Sequence, residues 1–176
     1  TYNVNPFQKS ELSVPEEYHE FFVQYCQTRT DGLKTNIDKS PFRRMVDLWF
    51  LAVCVAVHQG LKPVDLAGKK TKKIIDGTIF SSDPWRINAL MLMAVGYEGK
   101  VDILTHPNEM MKLANNLAIA GLPVLVEMLK DGPSDPIWNL SDNILSSPQF
   151  MKSVSLEKKF SQIFAWQKVS VWLDYK

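Results

Sequence analysis

The chain contains few of the residues from which metal centres and disulfide frameworks are built. Its 176 residues include two cysteines, Cys26 and Cys54, and three histidines, His19, His58 and His106. Two cysteines cannot form a disulfide framework or a four-thiolate zinc site. The pairs Cys54/His58 and His19/Cys26 also lack the close ligand spacing of a Cys2His2 zinc site. We therefore expect no metal or cofactor, and we expect two reduced, buried thiols in a cytoplasmic protein.

The motifs of several large enzyme classes are absent from the sequence. It has no G-x-S-x-G, no phosphate-binding P-loop and no G-x-G-x-x-G, which argues against phosphate-cradling enzymes. An enzyme would have to assemble its site from dispersed residues such as Asp47, His58, Arg86 and Glu127. Asp47 and Arg86 lie within apolar segments, and we expect Asp47 to pair with Arg86 or, locally, with Arg43.

Neither a long hydrophobic run nor a strong net charge is present. The longest apolar run, Leu48–Val57, covers 10 residues, about half of the roughly 20 that a helix needs to span a bilayer. The first residues lack the apolar core of a signal peptide, and without an initiator methionine they indicate trimming or a longer product. The net charge of +1 does not by itself steer the chain toward nucleic acid. We expect no membrane contact.

Proline-initiated segments with apolar residues at helical spacing predict a mainly α fold. We expect a compact domain of about five to seven helices, over about residues 15–29, 42–59, 84–98, 107–121, 124–129 and 156–173, with a short, less periodic segment over 136–144. The alternative for Val169-Ser170-Val171 is an extended conformation. Gly121-Leu122-Pro123 is predicted to separate the fourth of these helices from the fifth, because proline disfavours a helical residue before it.

One two-residue turn motif predicts a departure from helix. Asp76-Gly77 lies between β-forming residues, which is typical of a β-hairpin near residues 72–80. The alternative is a short lysine-rich helix from about 69 to 75 that Gly77 ends. The whole chain, 1–176, is expected to form a single helical domain, with a core over about 40–130 and a C-terminal aromatic extension over about 133–176.

The candidate nucleic-acid-binding residues are seven cations in the first half of the chain. They are Arg43, Arg44, Lys62, Lys69, Lys70, Lys72 and Lys73. Lysine and arginine side chains neutralise phosphates, which makes DNA a candidate partner. The alternative is a solvated surface, because this stretch has no interleaved aromatic residues for base stacking.

The candidate partner-binding residues are large aromatic side chains near the carboxyl end. They are Phe160, Phe164, Trp166 and Trp172. Such side chains are enriched at protein interfaces, and an apolar segment of this kind has to be covered. It packs either on the core of its own chain or against a partner protein or a second copy.

Residues 40–130 carry a series of short motifs at the starts and ends of the predicted helices. These are Ser40-Pro41-Phe42-Arg43-Arg44-Met45-Val46-Asp47, Leu51-Ala52, Gly60, Asp83-Pro84-Trp85-Arg86-Ile87, Ala114-Asn115-Asn116-Leu117-Ala118 and Gly121-Leu122. In these motifs the chain resembles small helical proteins associated with bacterial DNA phosphorothioation (Dnd) islands. The resemblance implies an accessory protein of a phage-defence system that modifies or restricts DNA, with no catalytic residues to carry over.

These observations together predict a non-enzymatic accessory or adaptor protein of a bacterial phage-defence or DNA-modification system. We expect it to contact a protein partner through the C-terminal aromatic residues and DNA through the basic stretch. The alternatives are an enzyme whose site is assembled from dispersed residues and a self-associating structural module.

Overall fold

The computed structural model describes residues 5–27 and 38–148, and helices make up most of these residues. The elements are β1 (Glu11–Pro15), α1 (His19–Tyr25), α2 (Met45–His58), β2 (Thr71–Asp76), α3 (Pro84–Glu98), α4 (Pro107–Lys130) and α5 (Pro136–Ser146). Short 3-10 helices cover Glu16–Tyr18, Gly77–Ser82 and Val101–Thr105. The predicted mainly α class with one short antiparallel strand pair is confirmed.

The core is centred on the crossing of α2 and α4. Gly121 of α4 lies against the backbone of α2, since a Cβ atom added there would stand 2.0 Å from the Ala52 carbonyl oxygen. Beside this contact, Trp49 Nε1 donates a 3.0 Å hydrogen bond to Oδ1 of the buried Asn115. Asn115 Nδ2 in turn donates a 2.8 Å bond to the Ser13 carbonyl. One buried amide therefore ties β1, α2 and α4 together.

Helix α4 is continuous, so the predicted interruption at Gly121-Leu122-Pro123 is wrong. A proline inside a helix removes one hydrogen bond and costs about 3 kcal/mol. The buried face of α4 nevertheless continues past Pro123 with Leu125, Val126 and Leu129. Burying each such side chain contributes about 1.5–3 kcal/mol, which is enough to keep the helix intact through the proline. Gly121 marks the close approach to α2, where the sequence pattern suggested a helix end.

Strand β2 lies in the predicted window, but its partner is not the segment after Gly77. It pairs antiparallel with β1, with Glu11 opposite Asp76 and Pro15 opposite Thr71. Asp76 Oδ1 accepts a 3.0 Å bond from the Thr78 amide and so begins a 3-10 helix instead of a hairpin turn. A Cβ atom at Gly77 would stand 1.9 Å from the Phe7 carbonyl oxygen, which explains glycine there without a hairpin.

Helix α1 is shorter than the predicted segment 15–29. Pro15 ends β1, and three residues of 3-10 helix intervene before α1 begins at His19. At the other end Cys26 has an extended backbone and forms an isolated bridge with Phe42. The chain therefore leaves the helix to pair with a remote residue, a contact that local periodicity does not reveal.

The buried apolar side chains of the described residues form one hydrophobic cluster. It includes residues from β1, from all five α-helices and from β2. Cys26 is buried as predicted, whereas Cys54 is exposed on the outer side of α2, so the prediction of two buried thiols is wrong for Cys54.

Among the described residues, α4 alone has the length and the apolar composition that could cross a membrane. More than half of the relevant window, 56%, is buried inside the structure. The helix packs against α2, α3, α5 and β1. A core helix of this kind passes the same test of length and composition.

Candidate functional site

The seven candidate nucleic-acid-binding cations fall into two groups in the structure. Six of them are exposed, and five of these six form no ion pair within the described residues: Arg43, Lys62, Lys69, Lys70 and Lys72. Four of these five lie between the end of α2 and the middle of β2. The pKa of His19 is lowered first by burial and then by the positive charge of Lys72. Lys72 is therefore close to His19, at the start of α1. Charged side chains of this kind also protect an edge strand from pairing with another chain.

The other two cations, Arg44 and Lys73, are held by carboxylates. Lys73 Nζ forms ion pairs with Glu11 of the neighbouring strand β1 and with Asp76 at 3.3 Å. Arg44 pairs with Asp47 at 3.0 Å and with Asp83 at 2.9 Å. The Arg44 guanidinium and the Lys73 ammonium group would therefore have to give up these carboxylate partners in order to neutralise a phosphate.

A ring of four charges joins the first turns of α2 and α3. Arg86 is 6% exposed and binds both Asp47 and Asp83, while Arg44 binds the same two carboxylates from the other side. The predicted Asp47–Arg86 pair is thereby confirmed, and the local partner of Asp47 is Arg44 where the sequence suggested Arg43. Burial opposes ionisation of Asp47, but its bonds to Arg44 and Arg86 outweigh burial and lower its pKa.

Two aromatic rings pack against Arg86 of this charge ring. The Arg86 Cζ atom lies 4.6 Å from the Trp85 ring centroid and 5.5 Å from that of Phe50. The two rings contact each other edge to face at 5.2 Å. The two cations and two carboxylates balance, so the arrangement fixes how α2 and α3 meet and leaves no net charge for a ligand.

The residues suggested for a dispersed enzyme site are not all brought together. Asp47 and Arg86 meet, but His58 is exposed at the end of α2, roughly 16 Å from Asp47 along the helix. Glu127 is exposed on α4, where its charge adds to burial in raising the pKa of Tyr25. In residues 5–27 and 38–148, no group of three or more His, Cys, Asp or Glu side chains could hold a metal ion.

A polar groove of about 380 Å³ lies between β1 and the first half of α4. Its lining mixes cations, carboxylates and amides: Lys9, Glu11, Asp65, Asn108, Lys112 and Asn116. Because neither sign of charge dominates, this groove indicates no particular ligand.

The inward side of α5 is held by amide side chains. Asn139 is 3% exposed, and its Nδ2 donates to the carbonyls of Leu129 at 3.2 Å and Ser134 at 2.9 Å, while its Oδ1 accepts from the Ser134 amide. One turn later, Asn143 Nδ2 donates to the carbonyls of Met128 and Asp131 at 3.3 and 3.2 Å. The two asparagines thus satisfy carbonyls at the C-terminal end of α4, which have no partners within that helix.

The outward side of α5 is apolar. We call it the α5 stripe and define it by Ile137, Trp138, Ser141, Ile144 and Leu145, which share one face at helical spacing. Trp138 is 63% exposed and Leu145 is 51% exposed. Together with Leu140 they line a shallow groove of about 400 Å³. A helix that turns its amides inward and its apolar residues outward has the reverse of the usual arrangement.

The α5 stripe has an acidic border. Asp142 follows Ser141 on the helix, Asp135 precedes its first turn, and both carboxylates are exposed. Residues 131–148 contain three aspartates and no lysine or arginine. The surface is therefore apolar in the middle and negatively charged around it.

The candidate partner-binding residues Phe160, Phe164, Trp166 and Trp172 lie outside the described residues. Sequence reasoning did not identify the α5 stripe, because the short segment through Trp138, Leu140 and Ile144 shows little helical periodicity. The available signal was the pair Asn139 and Asn143, four residues apart, which follows a loop rich in glycine, proline and aspartate.

No family model, no curated protein and no solved structure matches this chain.

Proposed function

We propose that this protein is a non-enzymatic adaptor that binds a partner protein through the α5 stripe. The observation that carries the proposal is the reversed orientation of α5, with Asn139 and Asn143 inward and Trp138 and Leu145 outward. Contiguous apolar surface is uncommon on monomers and marks interaction sites, and tryptophan is the residue type most enriched among those that carry binding energy.

The shape of the α5 stripe indicates the kind of partner it suits. A shallow groove along a single helix accepts the apolar face of an amphipathic helix, whose side chains at positions i, i+3, i+4 and i+7 fill it. The acidic border at Asp135 and Asp142 favours a segment that carries lysine or arginine beside its apolar face.

We further propose that the adaptor serves a bacterial phage-defence or DNA-modification system. What supports this context is the resemblance of residues 40–130 to proteins of phosphorothioation islands. Contact with DNA is the second candidate activity, and the exposure of Lys62, Lys69, Lys70 and Lys72 favours it.

Affinity capture with the full chain tests the protein contact. Wild type and Trp138→Ser are used as baits in lysate of the source organism, and each captured protein is purified and titrated against both baits. We expect Trp138→Ser to weaken binding of the true partner at least tenfold. Leu92→Ser is the control, because Leu92 is 74% exposed on α3, away from the α5 stripe. Equal affinity of Trp138→Ser and wild type would overturn the proposal.

Fluorescence anisotropy with plain and phosphorothioated duplex DNA at two salt concentrations tests the second activity. We expect affinity to fall steeply with salt, and Lys69→Glu/Lys70→Glu/Lys72→Glu to abolish binding. Lys73→Gln is the matched control, because Lys73 is already paired with Glu11 and Asp76 and we expect it to alter DNA affinity little. Absence of binding by the wild type at low salt would exclude DNA contact by the isolated chain.

A further inference from the structure

The sequence that follows α5 has the chemistry that the α5 stripe requires. Residues 149–176 contain five lysines and two carboxylates, a net charge of +3. Residues 131–148, which hold the α5 stripe, carry three aspartates and a net charge of −3. Opposite charges of this size favour association of the two segments within the roughly 8–10 Å over which surface charges interact at physiological salt.

The apolar pattern of this segment also matches. Leu156, Phe160, Ile163 and Phe164 occur at the spacing i, i+4, i+7 and i+8, which predicts one apolar face. Lys158 and Lys159 stand between them in the sequence. An amphipathic segment with lysines beside its apolar residues is the class of ligand that the groove and its acidic border favour.

The chain length allows the segment to return to the α5 stripe within one molecule. Helix α5 has 11 residues and is therefore about 16 Å long. The nine residues 147–155 can extend over about 30 Å, so residues from Leu156 onward can run back along the whole of α5. A tether this short gives an effective concentration in the millimolar range, which exceeds that of a second copy at micromolar protein.

We propose that residues 156–173 of the same chain occupy the α5 stripe, so that a partner protein binds there by displacing them. This inference rests on the proposed function in taking the α5 stripe as a protein-binding surface. It adds regulation: the affinity of the partner is lowered by the competing intramolecular contact, and a modification that reduces the positive charge of residues 156–173 would strengthen partner binding.

Disulfide trapping in the full chain tests the contact. In a Cys54→Ala background, Ser141→Cys places a thiol at the centre of the α5 stripe and is combined in turn with Ser161→Cys and Ser170→Cys, which keep every apolar residue of the segment. The matched control replaces Ser141→Cys with Ser146→Cys. Ser146 is exposed on the same helix, outside the α5 stripe and nearer in sequence to the segment.

We expect at least one Ser141→Cys combination to form an intramolecular disulfide at least ten times faster than its Ser146→Cys control. Equal or faster reaction of the control means that the tether alone brings the thiols together and overturns the inference. Disulfide-linked dimers as the main product overturn it in favour of a second copy. These outcomes are independent of the proposed function, which fails when Trp138→Ser binds the captured partner as tightly as wild type does.

Discussion

Two helix contacts made by α4 differ in how they are held. At its crossing with α2, Gly121 allows the backbones to touch, and apolar side chains fill the space around them. At its C-terminal end, α5 is attached by hydrogen bonds from Asn139 and Asn143 to main-chain carbonyls. The first contact buries the apolar faces of both helices. The second leaves most of the apolar face of α5 exposed, and for that reason only the second produces a binding surface.

The largest expected effect comes from filling the close approach of α2 and α4. Gly121→Ala would put a Cβ atom 2.0 Å from the Ala52 carbonyl oxygen, so one helix has to move. We expect a loss of about 3 kcal/mol or more in the free energy of unfolding, measured by urea denaturation.

Gly96→Ala is the control for this substitution. Gly96 lies in α3 with no atom within 4 Å of the added Cβ. Because alanine favours helix, we expect the control to be stabilised by about 0.5–1 kcal/mol. Equal stability of the two variants would show that the helices do not touch at Gly121.

The next effect concerns the charge ring at the start of α2 and α3. Asp47→Asn leaves the buried Arg86 with Asp83 as its carboxylate partner, and we expect a loss of about 2–3 kcal/mol at pH 7. The pKa of Asp47 is lower in the folded than in the unfolded state. Its contribution is therefore complete above about pH 4 and is lost as the pH falls through the folded value.

Urea denaturation at pH 7 and pH 3 measures this dependence. The difference in unfolding free energy between wild type and Asp47→Asn should shrink at pH 3. The exposed Asp102→Asn serves as control and should follow the wild type at both pH values. A constant difference between wild type and Asp47→Asn would contradict the ionised pairing described for Asp47.

A smaller effect is expected at the junction of α4 and α5. Asn139→Leu removes the amide that donates to Leu129 and Ser134 and leaves the carbonyl of the buried Leu129 without this donor. We expect a loss of about 1–3 kcal/mol, with α5 opening before the rest of the molecule. Amide hydrogen exchange checks the order of opening, and the exposed Asn88→Leu on α3 is the control. Unchanged exchange in α5 would mean that apolar contacts, and not amides, hold this helix.

The smallest effect on stability is expected on the α5 stripe itself. Trp138→Ser should change the free energy of unfolding of the core by about 0.5 kcal/mol or less, because the indole is 63% exposed. The proposed contact of residues 156–173 with the α5 stripe can open without unfolding the core, so its loss does not alter this expectation. The buried neighbour Leu140→Ala should cost about 2 kcal/mol or more on the same helix. A large loss for Trp138→Ser would place the indole in the core and remove the basis for the proposed partner contact.

Much of the fold follows from local sequence signals. The starts of α3, α4 and α5 at Pro84, Pro107 and Pro136 agree with prediction, because proline at the first helical position is favoured whatever the tertiary contacts. The end of α3 also agrees, since Gly99 adopts a φ of 67° at the helix terminus.

The errors arose where a remote contact overrides a local signal. Gly121 serves the approach to Ala52, and Gly77 serves the approach to Phe7, so neither glycine ends a helix or forms a hairpin turn. The pairing of β1 with β2 and the inward position of Asn139 likewise depend on partners elsewhere in the chain. The Asp47–Arg86 pair could be anticipated, because a charge inside an apolar segment needs an opposite charge nearby.

The hydrogen bond from Asn115 to Ser13 spans 102 residues, which has a consequence for synthesis of the chain. At about 5–20 residues per second, Ser13 is made roughly 5–20 s before the amide that fixes it. During this interval β1 leaves the ribosome as a strand that cannot yet complete its native contacts. The N-terminal segment therefore lacks one of its native contacts until residue 115 is made, and slower translation before that residue would lengthen this interval.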